Sequence, residues 1–287
     1  MTRLFTMAIV ALGVLGGCGE GHDRYRRGVL PPSADAASLA DAQRMDEIER
    51  LLDEGDLPGV AAAVDEALAA GLEHPRLYYL RGKMYAARGG DDNLELATQD
   101  FERCLGESPR WIQPRIDVAD VYMRLDRLSS ADSVYQDLDR LAPDYAAGPY
   151  GRGYIALMQG REEDARAFLE EALKRQSDHA PSLFTRAALA GQDQDLRMQR
   201  QMLERFIALQ PSSVGGWRAI AELDEQEGRR EDARRAWERA YRLQPEPSIA
   251  RRLSELARMR GDGVAADEWS RRAGSKAAPP KPDAKGQ

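Results

Sequence analysis

The sequence predicts an all-α protein. Aromatic residues make up only 7% of its 287 residues, whereas Ala, Leu, Arg and Glu are abundant, as in helices that pack closely through small side chains. Helix-breaking residues also recur every 34 residues along much of the chain. A fixed period that contains two helical patterns predicts an array of helical repeats in place of two ordinary domains.

Charge and composition argue against several classes of protein. The net charge of −7 is unlike that of nucleic-acid binders, which usually carry a basic face. Two cysteines cannot build a disulfide framework, and three scattered histidines make a poor metal site. The absence of apolar runs near 18 residues argues against a polytopic membrane protein.

The first residues have the order of a secretory signal. Arg3 is followed by the apolar segment 4–15, by Gly16 and Gly17, and then by Cys18. The segment Leu-Gly-Gly-Cys resembles the lipobox of bacterial lipoproteins, with Gly in a position where other residues are commoner. The resemblance implies that residues 1–17 are a signal peptide and that Cys18 is acylated. An ordinary signal peptide with a chance cysteine, or an uncleaved anchor, remains the alternative.

The residue after the cysteine bears on location. It is Gly19, not the Asp that commonly retains such lipoproteins in the inner membrane, so the resemblance implies an outer-membrane anchor facing the periplasm. The alternatives are anchoring in the inner membrane or at the cell surface. Residues 18–40 are rich in Gly, Pro, Ser and charge without periodicity, and we expect a flexible tether there.

A 34-residue register runs through the rest of the chain. Its breaks fall at Pro109, Pro143, Ser177, Pro211 and Pro245. The clearest unit, 214–247, resembles the tetratricopeptide repeat (TPR) through Trp217, Ile220, Ala221, Gly228, Ala233, Trp237, Ala240 and Pro245. The two alanines Ala221 and Ala233 are small where paired helices cross, and Gly228 supplies the positive φ that ends the first helix.

The same register, extended over 41–273, gives seven units. Their approximate bounds are 41–74, 75–111, 112–145, 146–179, 180–213, 214–247 and 248–273, with 274–287 expected to be a disordered tail. The resemblance implies an α-solenoid of about seven TPR helix–turn–helix repeats in a right-handed superhelix.

One unit departs from the pattern. In 180–213, Gln199 stands where Ala is expected between the paired helices, Gln194 replaces the turn glycine, and Gly191 lies inside the first helix. We hypothesise that this unit is the softest joint, or hinge, of the array. The alternative is that Gln199 simply finds a partner.

Short segments that resemble catalytic or cofactor-binding motifs lack the structural context that those motifs need. The G-x-G-x-x-A segment at 261–266 joins two helices and lacks the preceding strand that a dinucleotide site needs. His74 and His179 fall in turns and are expected to be solvent-exposed, and Cys104 is expected to be a buried, inert thiol. The sequence therefore predicts neither an enzyme, a cofactor, a metal nor a small-molecule substrate.

The candidate functional surface is the concave groove that the TPR resemblance implies. In TPR arrays the fifth residue of each repeat points into it. Here that row is Met45, Tyr79, Ile116, Tyr150, Phe184 and Arg218, and Arg251, the fourth residue of the last unit, continues it. Lys83, Met123, Tyr154, Met158, Glu222 and Glu225 lie nearby. Rigid aromatics and adaptable Met suit an extended or helical peptide. The alternatives are that these residues mainly pack between helices, or that an edge or the convex face binds.

The predicted function is a lipid-anchored, non-enzymatic scaffold or adaptor that holds or assembles an envelope protein complex through the groove. Its partners would be a peptide segment of an envelope protein and, through the lipid, the membrane, but not nucleic acid. The alternatives are a regulator or accessory subunit of a cell-wall or polysaccharide enzyme, or a pilotin-like factor for a secretin or pilus machine.

Overall fold

The structure is a computed structural model that describes residues 39–274. Over this range the chain forms fourteen α-helices and no β-strand. The predicted all-α fold is confirmed. The predicted signal peptide, the lipidated Cys18, the tether up to residue 38 and the tail from residue 275 lie outside the described residues.

The described chain divides at Ser177 into two compact units. The first, residues 39–177, contains α1 (Leu39–Glu54), α2 (Leu57–Ala69), α3 (Pro75–Arg88), α4 (Asp91–Glu107), α5 (Ile112–Arg124), α6 (Leu128–Leu141), α7 (Ala147–Met158) and α8 (Glu162–Arg175). The second, residues 178–274, contains α9 (Ala180–Gln192), α10 (Leu196–Leu209), α11 (Val214–Gln226), α12 (Arg230–Leu243), α13 (Pro247–Met259) and α14 (Gly263–Gly274). In each unit consecutive helices pack in pairs, for example α3 with α4 in the first unit and α11 with α12 in the second.

Small residues lie where the paired helices meet. Ala119 and Ala131 between α5 and α6, and Ala221 and Ala233 between α11 and α12, are completely buried. Trp237 is buried beside the second crossing. This packing agrees with the reason inferred for small residues at these positions, because a larger side chain would hold the two helix axes apart.

A residue with positive φ ends the first helix of every described pair. Five of these pairs have glycine in the turn, at Gly55, Gly89, Gly160, Gly228 and Gly261. The other two use Asp126 (φ 57°) and Gln194 (φ 59°). The missing glycine in 180–213 therefore leaves the turn conformation unchanged, although a side chain at positive φ carries a steric cost.

The two other departures in 180–213 occupy the same space. A Cβ atom on Gly191 of α9 would lie 2.8 Å from Nε2 of Gln199 of α10. The glycine in the first helix thus makes room for the glutamine in the second. Among the described residues, Oε1 of Gln199 is buried without a hydrogen-bond partner.

The expectation that His74 is solvent-exposed is wrong, since only 7% of its surface is exposed. Its Nδ1 atom accepts a hydrogen bond of 3.1 Å from the backbone N–H of Arg76 and caps the start of α3. His179 is half-buried before α9, and its Nδ1 atom lies 2.7 Å from Oγ of Ser182. Both histidines therefore have a structural position at a helix start.

Candidate peptide-binding surface

Seven predicted groove residues lie on the first helices of three consecutive pairs in residues 39–177. We call them, with Asp117 and Asp120, the α3–α5–α7 surface. Tyr79 and Lys83 belong to α3, Ile116 and Met123 to α5, and Tyr150, Tyr154 and Met158 to α7. Met158 is exposed and the other six are half-buried. Half-burial is compatible both with packing and with contact to a partner.

Tyr79 is held firmly by its neighbours. Its ring centroid lies 4.8 Å from that of Trp111 and 5.9 Å from that of Phe101, and Nζ of Lys83 lies 5.7 Å from it. The hydroxyl group donates a hydrogen bond to the carboxylate of Asp117, and burial together with this carboxylate raises the pKa of Tyr79. The contact joins α3 to α5 on this surface.

Asp120 continues the link from α5 to the next pair. Its Oδ1 atom accepts a hydrogen bond of 2.9 Å from the hydroxyl of the buried Tyr135 of α6. The surrounding protein and the nearby charge of Asp117 raise the pKa of Asp120 to about 7, while the bond from Tyr135 acts in the opposite direction. The side chain is nevertheless accessible to water. A carboxyl group in this position can exchange its proton near neutral pH.

The tyrosines of α7 complete the α3–α5–α7 surface. The rings of Tyr150 and Tyr154 have centroids 6.4 Å apart and are tilted by 32°. Burial, with the charge of Asp120 as the smaller cause, raises the pKa of Tyr154. The structure therefore brings tyrosines of α3 and α7 together around two carboxylates of α5.

The sequence reasoning missed both carboxylates. Asp117 follows the predicted groove residue Ile116 directly, and Asp120 lies one helical turn beyond it. Their spacing of three residues places them on one side of α5. The sequence therefore contains a signal for this pair of carboxylates. The prediction of the groove instead rests on apolar and aromatic residues at the fifth repeat position.

The predicted groove residues of the second unit have other surroundings. Phe184 is 4% exposed and its ring centroid lies 4.8 Å from that of Phe206, so the ring packs between α9 and α10. Arg218 lies 3.6 Å from a carboxylate oxygen of Glu246, and Glu225 is ion-paired with Arg252. Arg251 is exposed. Contact of a partner with Phe184, Arg218 or Arg251 stays a prediction.

Between Leu39 and Gly274, no helix is both long and apolar enough to cross a membrane. In that part of the chain there is also no group of three or more His, Cys, Asp or Glu side chains arranged to hold a metal ion. Cys104 is completely buried, and burial raises the pKa of its thiol to about 12.

The repeat pattern is matched by a known family over part of the chain. Residues 117–181, which include Asp117 and Asp120, match the family described as tetratricopeptide repeat. Residues 117–181 are thus similar to tetratricopeptide repeats. The search of curated proteins found no match.

Solved structures with TPR-like folds cover more of the chain. The Cut9–Hcn1 hetero-tetramer of APC/C superposes with a TM-score of 0.60 at 12% identity, over 79% of this chain and 44% of that one. PilW, a type IV pilus biogenesis factor, gives 0.54 at 16% identity, over 68% and 90%. A TPR protein from Parabacteroides merdae ATCC 43184 gives 0.52 at 15%, over 83% and 93%.

These similarities show the fold. This chain spans less than half the length of the chain it matches in Cut9–Hcn1. At 12–16% identity, the partners of those proteins cannot be transferred to this one. The function of this chain therefore depends on the side chains that its own helices present.

Proposed function

We propose that this protein is a non-enzymatic, lipid-anchored scaffold whose α3–α5–α7 surface binds a peptide segment of an envelope protein. TPR repeats provide a rigid frame, and a partner segment would lie across the first helices of consecutive pairs. Anchoring through Cys18 would hold the bound partner near the membrane, at the periplasmic face of the outer membrane.

The observation that carries this proposal is the convergence of Tyr79, Asp117, Asp120 and Tyr154 from three helices. Tyrosine rings supply large contact areas at a low cost in side-chain entropy, and carboxylates provide orienting hydrogen-bond acceptors. Met158 adds an adaptable apolar side chain at the exposed end of α7. A peptide that offers apolar side chains and donor groups fits this combination.

Two other roles would use the same surface. The protein could act as a regulator or accessory subunit of a cell-wall or polysaccharide enzyme, or as a pilotin-like factor for a secretin or pilus machine. The fold similarity to PilW, described as a type IV pilus biogenesis factor, supports including the pilus role as an alternative. The identity of the bound partner distinguishes these roles.

The binding surface can be tested by exchanging three of its side chains that are exposed or half-buried. The full-length protein carrying Lys83→Ala, Tyr154→Ala and Met158→Ala would be crosslinked in membranes, and its partners quantified by mass spectrometry. A control carrying Leu96→Ala and Arg140→Ala loses exposed side chains of α4 and α6 in the same unit. We expect the partner to be lost only from the triple variant.

The opposite result of the crosslinking experiment would reject this binding surface. If the triple variant keeps its partner and its helical thermal melt is unchanged, the α3–α5–α7 surface is not the binding site and another surface binds. Secretin or pilus proteins among the partners would select the pilotin-like role. Cell-wall or polysaccharide enzymes would select the regulatory role.

The anchor is tested separately with Cys18→Ala. We expect the wild-type protein to incorporate labelled palmitate and to sediment with membranes, and the variant to do neither. Several acyl chains on one residue give strong anchoring, since each buried methylene contributes about 0.8 kcal/mol. Unchanged sedimentation and labelling of the variant would show that the lipobox assignment is wrong.

A further inference from the structure

A second surface, in residues 178–274, has a different chemistry. A cavity of about 540 Å³ opens between α10, α11 and α12 in residues 178–274. Trp217, Ile220 and Asp224 line it from α11, at a spacing that places them on one helix face. The predicted groove residues Arg218, Glu222 and Glu225 lie on another face of the same helix. The cavity is thus separate from the predicted groove.

The lining of the cavity is basic in an otherwise acidic protein. Five arginines and the three carboxylates of Glu204, Asp224 and Asp232 line the cavity. The lining therefore has a net charge of +2, whereas the whole chain has a net charge of −7. The lining arginines are Arg200, Arg229, Arg235, Arg239 and Arg242. A local charge opposite to that of the whole chain attracts an anionic ligand to this place.

Ion pairs occupy three of these arginines. Arg200 lies 2.7 Å and Arg229 lies 3.0 Å from Oδ1 of Asp224, whose surface is only 3% exposed. Arg235 pairs with Asp232 one turn earlier on α12. Arg200 and Arg229 therefore neutralise a buried carboxylate and help to fix α10 against α11 and its following turn.

Arg239 and Arg242 supply the uncompensated charge. Within residues 39–274, neither guanidinium has a carboxylate in ion-pairing distance, although Arg239 is half-buried. With Arg235 they follow one another at spacings of four and three residues, so the row extends for roughly 10 Å along one side of α12. Arginine pairs with carboxylates through two parallel hydrogen bonds, which makes this row suited to successive anionic groups.

The remaining lining is apolar and well fixed. Trp217 is half-buried, and its Nε1 atom donates a hydrogen bond of 2.9 Å to the backbone carbonyl oxygen of Pro211, which orients the indole. Ile220 and Ala236 lie beside it in the cavity wall. An apolar side chain from a ligand can be accommodated next to the arginine row.

We propose that this cavity binds an acidic peptide segment of a partner protein, with Arg239 and Arg242 pairing with its carboxylates and Trp217 contacting an apolar side chain between them. Two uncompensated arginines suit the few, spaced carboxylates of a peptide better than the continuous charge of a nucleic acid, whose binding usually needs an extended basic face. This surface goes beyond the proposed function: it is a second docking site on the same scaffold.

The test uses the full-length protein and a fluorescein-labelled peptide of alternating Glu and Leu. Fluorescence anisotropy gives its affinity, and the indole N–H signal of Trp217, assigned through Trp217→Phe, reports where it binds. We expect Arg239→Gln with Arg242→Gln to weaken binding about tenfold or more. The control, Arg258→Gln with Arg271→Gln, removes two exposed charges outside the cavity and should change the affinity less than about twofold.

Specific outcomes would overturn this assignment. They are absence of binding of the Glu–Leu peptide, equal binding of a Gln–Leu peptide, or an unchanged affinity in the Arg239/Arg242 variant with its helical signal intact. Binding of heparin or inorganic phosphate in place of the peptide would also reject a peptide ligand. None of these results depends on the α3–α5–α7 surface, so a failure here leaves the proposed function untouched.

Discussion

Tyr135 of α6 lies directly against the backbone of Gly151 of α7. A Cβ atom on Gly151 would come within 2.2 Å of a ring carbon of Tyr135, closer than atoms can approach. The same tyrosine donates its hydroxyl hydrogen bond to Asp120. The missing side chain at Gly151 therefore allows the buried ring to reach the carboxylate of the α3–α5–α7 surface.

This contact predicts a large effect of Gly151→Ala. Alanine is the better helix former, but the methyl group must displace a buried aromatic ring. We expect the free energy of unfolding, measured by urea denaturation, to fall by about 2 kcal/mol. The matched substitution is Gly106→Ala in α4, whose Cβ would meet no atom within 4 Å. It should raise stability by up to about 1 kcal/mol. Equal effects of both would mean that Tyr135 moves freely.

The raised pKa of Asp120 predicts a pH dependence. A carboxyl group with a pKa of about 7 in the folded state and about 3.9 in the unfolded state binds more protons when folded. Its contribution is therefore fully present below about pH 4 and is lost as the pH rises through about 7. In urea unfolding, Asp120→Asn should remove this falling component from the pH profile.

The pKa itself can be measured through the ¹³C shift of the Asp120 carboxyl carbon. Asp117→Asn should lower the midpoint, because it removes a neighbouring negative charge. A midpoint near pH 4 in the wild-type protein would show that the surrounding helices and Asp117 do not raise the pKa of Asp120.

The repeat at 180–213 predicts a local difference in stability. A buried oxygen without a hydrogen-bond partner, such as Oε1 of Gln199, costs about 1–3 kcal/mol. We expect amide hydrogen exchange to show weaker protection over 183–207 than over 214–240. The double variant Gly191→Ala, Gln199→Ala restores small apolar residues on both helices and should increase protection over 183–207. Equal protection in the wild-type protein would end the softest-joint hypothesis.

The buried position of Cys104 predicts that its thiol is alkylated slowly. Since its thiol is buried and its pKa is raised to about 12, almost no thiolate exists at neutral pH. In a Cys18→Ala variant Cys104 is the single cysteine, and iodoacetamide should label it at least about a thousandfold more slowly in the native protein than in urea. Mass spectrometry at timed intervals measures both rates. Similar rates would indicate frequent local opening of α4.

Much of the architecture was predictable because the repeats impose local rules. The helix-ending turns at Gly160, Gly228 and Gly261 need positive φ, which glycine adopts most readily. Ala221 and Ala233 are small because two helices cross there. Such requirements act within about 34 residues and recur, so they are visible in the sequence.

The candidate sites were less predictable, because they depend on which side chains from different helices meet. The sequence marks Tyr79 and Phe184 alike, yet the hydroxyl of Tyr79 bonds to Asp117 while Phe184 is buried against Phe206. Nor does it show that Arg200 and Arg229 share Asp224, leaving Arg239 and Arg242 uncompensated.

The sequence by itself determined the all-α fold, the repeat length and the positions of the turns, since backbone conformation and small-residue packing are decided by neighbours along the chain. Only the tertiary structure decided that Gly151 admits Tyr135 and that Gly191 admits Gln199. It also decided which carboxylates and arginines keep an unbalanced charge. Those outcomes depend on distances between helices, and such distances are set by the packing of whole side chains.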